Sequence, residues 1–190
     1  MKVAIIVGSI RKGRQSHKVG LYLKQVLDAM PGIHCEYLDL LEYKLPMLTE
    51  RWKEQEPVDE GLLSFSDTLK SSDAIIFISP EYHGSYTGVL KNAVDHFWPE
   101  FYKKVIGVVV TGSGKFGGIN ASSQMQQLIL SLGAYPMPQK LVIPYIQDTF
   151  TEDGTLLKDE IRQQSMRFIE ELAWLGNAIK AAKISTRQAN

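Results

Sequence analysis

The sequence predicts an α/β protein, a doubly wound parallel sheet with helices on both faces, and three observations carry that reading. Short apolar runs alternate with longer stretches of helical periodicity along most of the chain. Three of the runs, VAIIV, AIIFI and VIGVVV, are nearly all apolar, as strands covered on both faces should be. Two others are interrupted by charge or by proline, which marks them as sheet edges.

Taken in order, the first strand is expected at Lys2–Val7 and is followed by a helix over Ser16–Met30. The second strand, His34–Leu40, contains Glu36 and Asp39, so at least part of it is expected to be less buried. A helix over Asp59–Ser71 leads to the third strand, Ala74–Ser79, and a helix over Gly88–Trp98 succeeds it. The fourth strand, Val105–Thr111, precedes a helix over Ile119–Leu132. The fifth, Leu141–Ile146, holds Pro144, which has no N–H to give to a ladder and is best tolerated at an edge. The last helix, roughly Leu156–Ala182, carries Ile161, Phe168, Ile169, Leu172, Leu175 and Ile179 on one stripe. With strands two and five at the edges, the order is 2-1-3-4-5. That is the flavodoxin-like sheet, whose ligand lies outside the carboxyl ends of the strands, at the switch point between strands one and three.

The 190 residues read as one domain over 1–182, with a polar tail, 183–190, expected to fray. Lys and Arg number 21, as do Asp and Glu, so no global field favours nucleic acid or an anionic membrane. No segment approaches the length that crosses a bilayer. The N-terminal apolar run, Val3 to Val7, is too short for a signal peptide and meets basic residues instead of a cleavage site. A soluble, cytoplasmic protein is expected. Cys35 is the only cysteine, so no internal disulfide forms, and an inert core thiol is the expected role.

In the 2-1-3-4-5 order, the loops after strands one, three and four lie side by side. The first, GSIRKGRQSHKVG from Gly8 to Gly20, supplies hydroxyls at Ser9 and Ser16, guanidiniums at Arg11 and Arg14, and ammoniums at Lys12 and Lys18. The helix behind it points its N-terminal amides at the loop. Many donors with local positive charge are what a phosphate dianion needs. Neither G-x-x-x-x-G-K-[ST] nor G-x-G-x-x-G occurs here. The competing reading is a solvated basic loop with Ser16 as an ordinary helix cap, and Lys12 and His17 fit solvent as readily as a ligand.

The second loop opens SPEYHGSYTGVLKNAVDHF, Ser79 to Phe97, and carries more chemistry than a turn needs. Pro80 stiffens it, Gly84 permits an otherwise strained backbone, and Thr87 stands where a helix cap belongs. Such a loop offers backbone N–H groups and a flat face to a planar heterocycle. The alternative is that Tyr82 and Tyr86 pack on neighbouring surface and His83 is an ordinary loop residue. The third loop, TGSGKFGG from Thr111 to Gly118, has four glycines in eight residues, which lets a ligand approach the backbone. Its GSGK fragment is not a Walker loop, because Phe116 stands where Ser or Thr must bind magnesium and Val109 where the first glycine belongs.

These three loops, GSxRxGR-x3-KV, SPEYxGSYxGxLKNAxD and GSGxxGG, resemble in register the NADPH-dependent FMN reductase family of flavin-dependent quinone, azo-dye and chromate reductases. The resemblance spans most of Met1 to about Ile146. It implies FMN with its phosphate held by Ser9, Arg11, Gln15 and Ser16. It implies the ring against Pro80, Glu81, Tyr82 and His83, with Ser113, Gly114, Lys115 and Gly117 along its other edge. This chain carries His83 where family members commonly have Asn, and Thr87 where they commonly have Pro.

The function implied is ping-pong hydride transfer from NADPH or NADH through FMN to a small-molecule acceptor: a quinone, an azo dye, free flavin or a metal oxyanion. No side chain is assigned a catalytic acid or base role, and no metal is implied. A flavodoxin-type electron carrier and an FMN-free regulatory or scaffold protein of the same fold stand as alternatives. Phe97, Trp98, Phe101 and Tyr102 cluster after the third helix, and Trp52 lies amid charges; such aromatic patches mark interfaces, while core packing is an equal reading for Phe97 and Trp98. The resemblance implies a homodimer or homotetramer, with no nucleic-acid or membrane partner.

Overall fold

The computed structural model describes residues 1–188. Five strands form one parallel sheet: β1 (Lys2–Val7), β2 (His34–Asp39), β3 (Ala74–Pro80), β4 (Val105–Thr111) and β5 (Tyr135–Ile143), in the order β2-β1-β3-β4-β5. Six α-helices cover it: α1 (Ser16–Asp28), α2 (Leu40–Tyr43), α3 (Glu60–Ser71), α4 (Gly88–Asp95), α5 (Ile119–Ser131) and α6 (Asp159–Gln188). The flavodoxin-like architecture expected from the sequence is the observed one.

The apolar runs explain the layering. Every residue from Val3 to Val7 is buried, but alternate side chains serve different cores. Val3, Ile5 and Val7 join α1 and α6, whereas Ala4 and Ile6 join α3, α4 and α5. The stripe on α6 closes the first of these cores through Ile161, Phe168, Ile169 and Leu172, all buried, with Leu175 and Ile179 packed at its edge. Gly107 in β4 makes room for it, since a Cβ there would lie 2.6 Å from Phe168 Cζ. Among the described residues, no helix is long and apolar enough to cross a membrane.

The fifth strand sits at the edge for a different reason than Pro144. It spans Tyr135–Ile143, so Pro144 lies just beyond it, and the prolines inside are Pro136 and Pro138. The pairing jumps from Ile106–Pro136 to Val108–Lys140, an irregularity that takes up residues with no N–H to donate. The second strand also departs from expectation: Glu36 is exposed, but Asp39 is only 6% exposed. Its charge is paired with Arg14 within the protein. The last helix runs from Asp159 through Gln188, later at both ends than the periodicity indicated, so residues 183–188 are helical; 189 and 190 of the expected tail lie outside the described residues.

The aromatic cluster after α4 divides. Phe97 and Phe101 are core residues, whereas Trp98 and Tyr102 are exposed. Trp52 is buried in a 3-10 turn (Trp52–Glu54), its ring centroid 6.0 Å from that of Phe97 and overlain by the Lys53 and Lys70 ammoniums. Cys35 is buried, and desolvation pushes its thiol up to about 12, which leaves it unreactive at neutral pH.

Candidate functional site

Parallel register places the ends of β1, β3 and β4 next to one another, and backbone hydrogen bonds continue the contact into the loops. Gly8 N donates to Ile78 O at 2.8 Å, and Gly112 N to Ile143 O at 3.0 Å. Between the loops lies a cleft of about 430 Å³, within the roughly 300–1,000 Å³ range of small-molecule sites. Eight of the twelve expected site residues line it: Ser9, Arg11, Gln15, Ser16, Pro80, Glu81, Tyr82 and Ser113. His83, Gly114, Lys115 and Gly117 do not.

At one end of the cleft is the start of α1. Gln15 occupies the N-cap position, but no side chain accepts a hydrogen bond from the first turn. Lys18 N turns back to Gln15 O at 3.1 Å, which leaves the Ser16 and His17 amides, at the very start of this 13-residue helix, for an external acceptor. Ser16 is not a helix cap; its hydroxyl lies 2.8 Å from that of Thr111, tying the first loop to β4. Gln15 Oε1 is buried and has no partner, an acceptor that asks for a donor such as a ligand hydroxyl.

The four cations of the first loop have different fates. Arg14 makes two contacts of 2.5 Å with the Asp39 carboxylate and donates to Ser9 O at 2.7 Å. Lys18 is 4% exposed and reaches Glu152 at 2.6 Å. Both are thus paired within the protein, so the positive charge they add to the loop is already neutralised, although Arg14 also borders the cleft. Arg11 and Lys12 stay exposed, with the Arg11 guanidinium carbon 5.9 Å from the centroid of the Tyr82 ring. His17 is half-buried, and desolvation together with Arg14 lowers its pKa, which favours the neutral imidazole.

The neighbouring helix α5 shows the opposite arrangement. Its N-cap is Gly118, at φ 91° and without a side-chain bond of its own. The Glu81 carboxylate crosses from the β3 loop to accept from Asn120 N at 2.9 Å and Ala121 N at 3.1 Å. Glu81 therefore caps a helix with its side chain and has only its backbone to offer a ring. One helix start beside the cleft is satisfied by the protein's own anion, and the other is left without one.

The second loop turns tightly. Tyr82 N donates to Ser85 O at 2.8 Å and Ser85 N to Tyr82 O at 3.1 Å, with His83 at φ 51° and Gly84 at φ 79° between them. These values are those of a type I′ turn. Such a turn presents the Tyr82 ring and Pro80 as one wall of the cleft while His83 projects at the exposed tip.

The sequence pattern of the NADPH-dependent FMN reductases matches residues 1–148. The chain belongs to that family. It is 27% identical to an FMN-dependent NADPH-azoreductase of Staphylococcus haemolyticus, covering 90% of this chain and 93% of the relative. It is 30% identical to an NAD(P)H:quinone oxidoreductase of Solanum tuberosum, over 86% of this chain and 87% of that one. Among solved structures it is similar to a flavoenzyme NAD(P)H:(acceptor) oxidoreductase from Paracoccus denitrificans, with a TM-score of 0.74, 25% identity and coverage of 93% and 97%.

Within this family member, the departure at His83 has a backbone meaning. At φ 51° His83 takes a left-handed position that Asn, Asp and His occupy more readily than other non-glycine side chains, so His83 and the Asn common in the family both suit the turn. Thr111 and Gly112, in the third loop but not among the expected contacts, also line the cleft, and the 3-10 turn Ile146–Asp148, from which Ile146 and Gln147 form a fourth wall, escaped sequence reading. The placement of a strand over Leu141–Ile146 concealed that turn. Of the four glycines in the third loop, Gly112, Gly117 and Gly118 meet the protein's own backbone, while a Cβ added to Gly114 would meet nothing within 4 Å.

Proposed function

We propose that the cleft binds FMN and that the chain uses it to oxidise NADPH or NADH and reduce small-molecule acceptors in two successive half-reactions. The observation that carries this reading is the uncapped start of α1 facing a donor-rich loop, beside an α5 start already neutralised by Glu81. The residues present fit the cofactor. Ser9, Arg11, Gln15 and Ser16 receive its phosphate, with the α1 amides behind them. Pro80, Tyr82 and the backbone of Glu81 and His83 support the ring. Ser113 borders its other edge, and Gly114, next to it and just outside the cleft lining, leaves space there that no protein atom needs, whereas Lys115 and Gly117 lie away from the cleft.

Bound there, FMN would supply the redox chemistry that links nicotinamide oxidation to acceptor reduction. The protein's part is to hold the ring, supply backbone amides near its polar edge and leave one face uncovered. No side chain is assigned as acid or base, and His83 at its exposed turn tip serves as neither. One cleft of about 430 Å³ shared by both substrates would make reductant and oxidant take turns, a ping-pong order. Quinones and azo dyes are the acceptor classes proposed first, because the similar proteins are named for them; free flavin and metal oxyanions suit the same face. The exposed Trp98 and Tyr102, 68% and 55% accessible, support a homodimer or homotetramer.

Anaerobic stopped-flow mixing of FMN-loaded protein with NADPH, then with a quinone, tests the reading. The visible absorbance band of the flavin is expected to bleach in the first mixing and return in the second. A yellow protein that exchanges electrons but ignores both nicotinamides is an electron carrier instead, and one that stays colourless with added FMN is neither. Light scattering that finds a monomer overturns the oligomer.

A further inference from the structure

The basic loop contains a buried ion pair that phosphate binding does not by itself explain. Arg14 and Asp39 sit 25 positions apart, their side chains 12% and 8% exposed, joined through both guanidinium nitrogens. The same guanidinium donates to Ser9 O, and Asp39 Oδ1 also accepts from Leu41 N at 3.0 Å at the start of α2. Asp39 is the last residue of β2 and pairs in register with Val7, the last residue of β1. The carboxylate is therefore fixed from both sides, by the sheet and by the helix it caps.

Three contacts then define the first loop. Arg14 N donates to Arg11 O at 3.0 Å, closing a turn in which Gly13 takes φ 75°. The Arg14 side chain fastens the Ser9 peptide, and Asp39 fastens Arg14. Ser9 and Arg11 lie between these anchors and line the cleft. A planar, bidentate fork fixes orientation as well as distance, which a lysine in the same place would not do.

Resting on the FMN reading above, we infer that Arg14 and Asp39 are a positioning pair: they hold the Ser9–Arg11 segment in the shape that receives a phosphate, without Arg14 serving as a phosphate ligand itself. The charge balance agrees. Asp39 neutralises Arg14, so the positive field at the cleft comes from Arg11, Lys12 and the start of α1. The effect is specific to the phosphate end, because the pair touches the first loop and not the Tyr82 wall.

The test compares dissociation constants for FMN and for riboflavin, which lacks the phosphate, by quenching of flavin fluorescence in wild type, Arg14→Lys, Asp39→Asn and the double variant. Wild type must bind FMN; if it binds neither flavin, the functional reading itself has failed. Each single variant is expected to weaken FMN about 10–100-fold, the size of a charge-assisted hydrogen bond, and to leave riboflavin unchanged. The double variant is expected to lose no more than the worse single one, since both act through one contact. If Asp39→Asn leaves FMN binding intact or tightens it, Arg14 is a direct ligand and the inference falls. If FMN and riboflavin weaken in parallel, the pair only stabilises the fold and the inference falls too. Thermal midpoints recorded alongside show which variants are folded at the assay temperature; should Arg14→Lys not fold, the Asp39→Asn comparison decides alone.

Discussion

The Thr87 hydroxyl donates to the Gly8 carbonyl at 2.6 Å, joining residues 79 positions apart in the chain and binding the first loop to the second. The same oxygen accepts from Leu90 N at 3.3 Å as the cap of α4, while Thr87 N donates to the Ser79 hydroxyl at 3.1 Å. All three contacts are buried, so Thr87→Val should destabilise the protein by about 1–3 kcal/mol in urea unfolding. Thr87→Pro suits φ −71°. It nonetheless removes the N–H as well as the hydroxyl, so it should cost at least as much. A Pro variant as stable as wild type would show that the cross-loop bonds contribute little.

Gly114 and Gly117 stand three residues apart and should respond oppositely to alanine. A Cβ on Gly117 would lie 2.6 Å from Val142 Cγ1 and 2.9 Å from Pro144 N, at φ 57°. Gly117→Ala is expected to lose more than about 2 kcal/mol of stability. Gly114→Ala meets no atom within 4 Å, so stability should hold or rise by up to about 1 kcal/mol. Its flavin affinity should fall, because the proposed ring edge passes there. Equal stability losses in the two variants would count against this division of the loop.

His83 lies at φ 51° and is exposed. Replacing it with Asn should leave stability within about 0.5 kcal/mol, since both residues suit a left-handed position, with FMN binding retained through the backbone. A marked loss of FMN affinity in His83→Asn would instead give the imidazole a direct contact with the ring.

The sheet was legible because burial on both faces leaves an unbroken apolar run. β1 and β4 have the expected bounds, Lys2–Val7 and Val105–Thr111, one residue longer than VAIIV and VIGVVV, and the strand order follows from which runs are interrupted. Side-chain pairing was not legible, because the partners are remote in sequence. Arg14 and Lys18 read as free cations until Asp39 and Glu152 are seen opposite them. That the Glu81 carboxylate caps α5, 39 positions on, is likewise not written in its neighbourhood. Pro144 pointed to the correct edge from just outside the strand, and that displacement concealed the Ile146–Asp148 turn. Local pattern specifies elements; the assignment of charges needs the third dimension.

Lys104 provides the clearest pH dependence. It is 6% exposed, and its ammonium donates to Leu69 O, to Lys70 O at 3.1 Å and to Ser72 O at 2.6 Å, at the C-terminal end of α3. Burial, reinforced by the charge of Lys183, pushes its pKa down to about 8 from the ordinary 10.5, against the opposing pull of Asp73 and Glu100. Between those two values the unfolded chain holds a proton that the folded chain has released. Stability contributed by this group therefore rises with pH from about 8 to 10.5 and is flat below that window. The slope is at most about 1.4 kcal/mol per pH unit. Urea unfolding of wild type and Lys104→Met across this range isolates the contribution, since the other titrating groups are common to both. Wild type should gain stability relative to the variant as pH rises; a constant difference would mean that the three carbonyls hold the ammonium charged throughout.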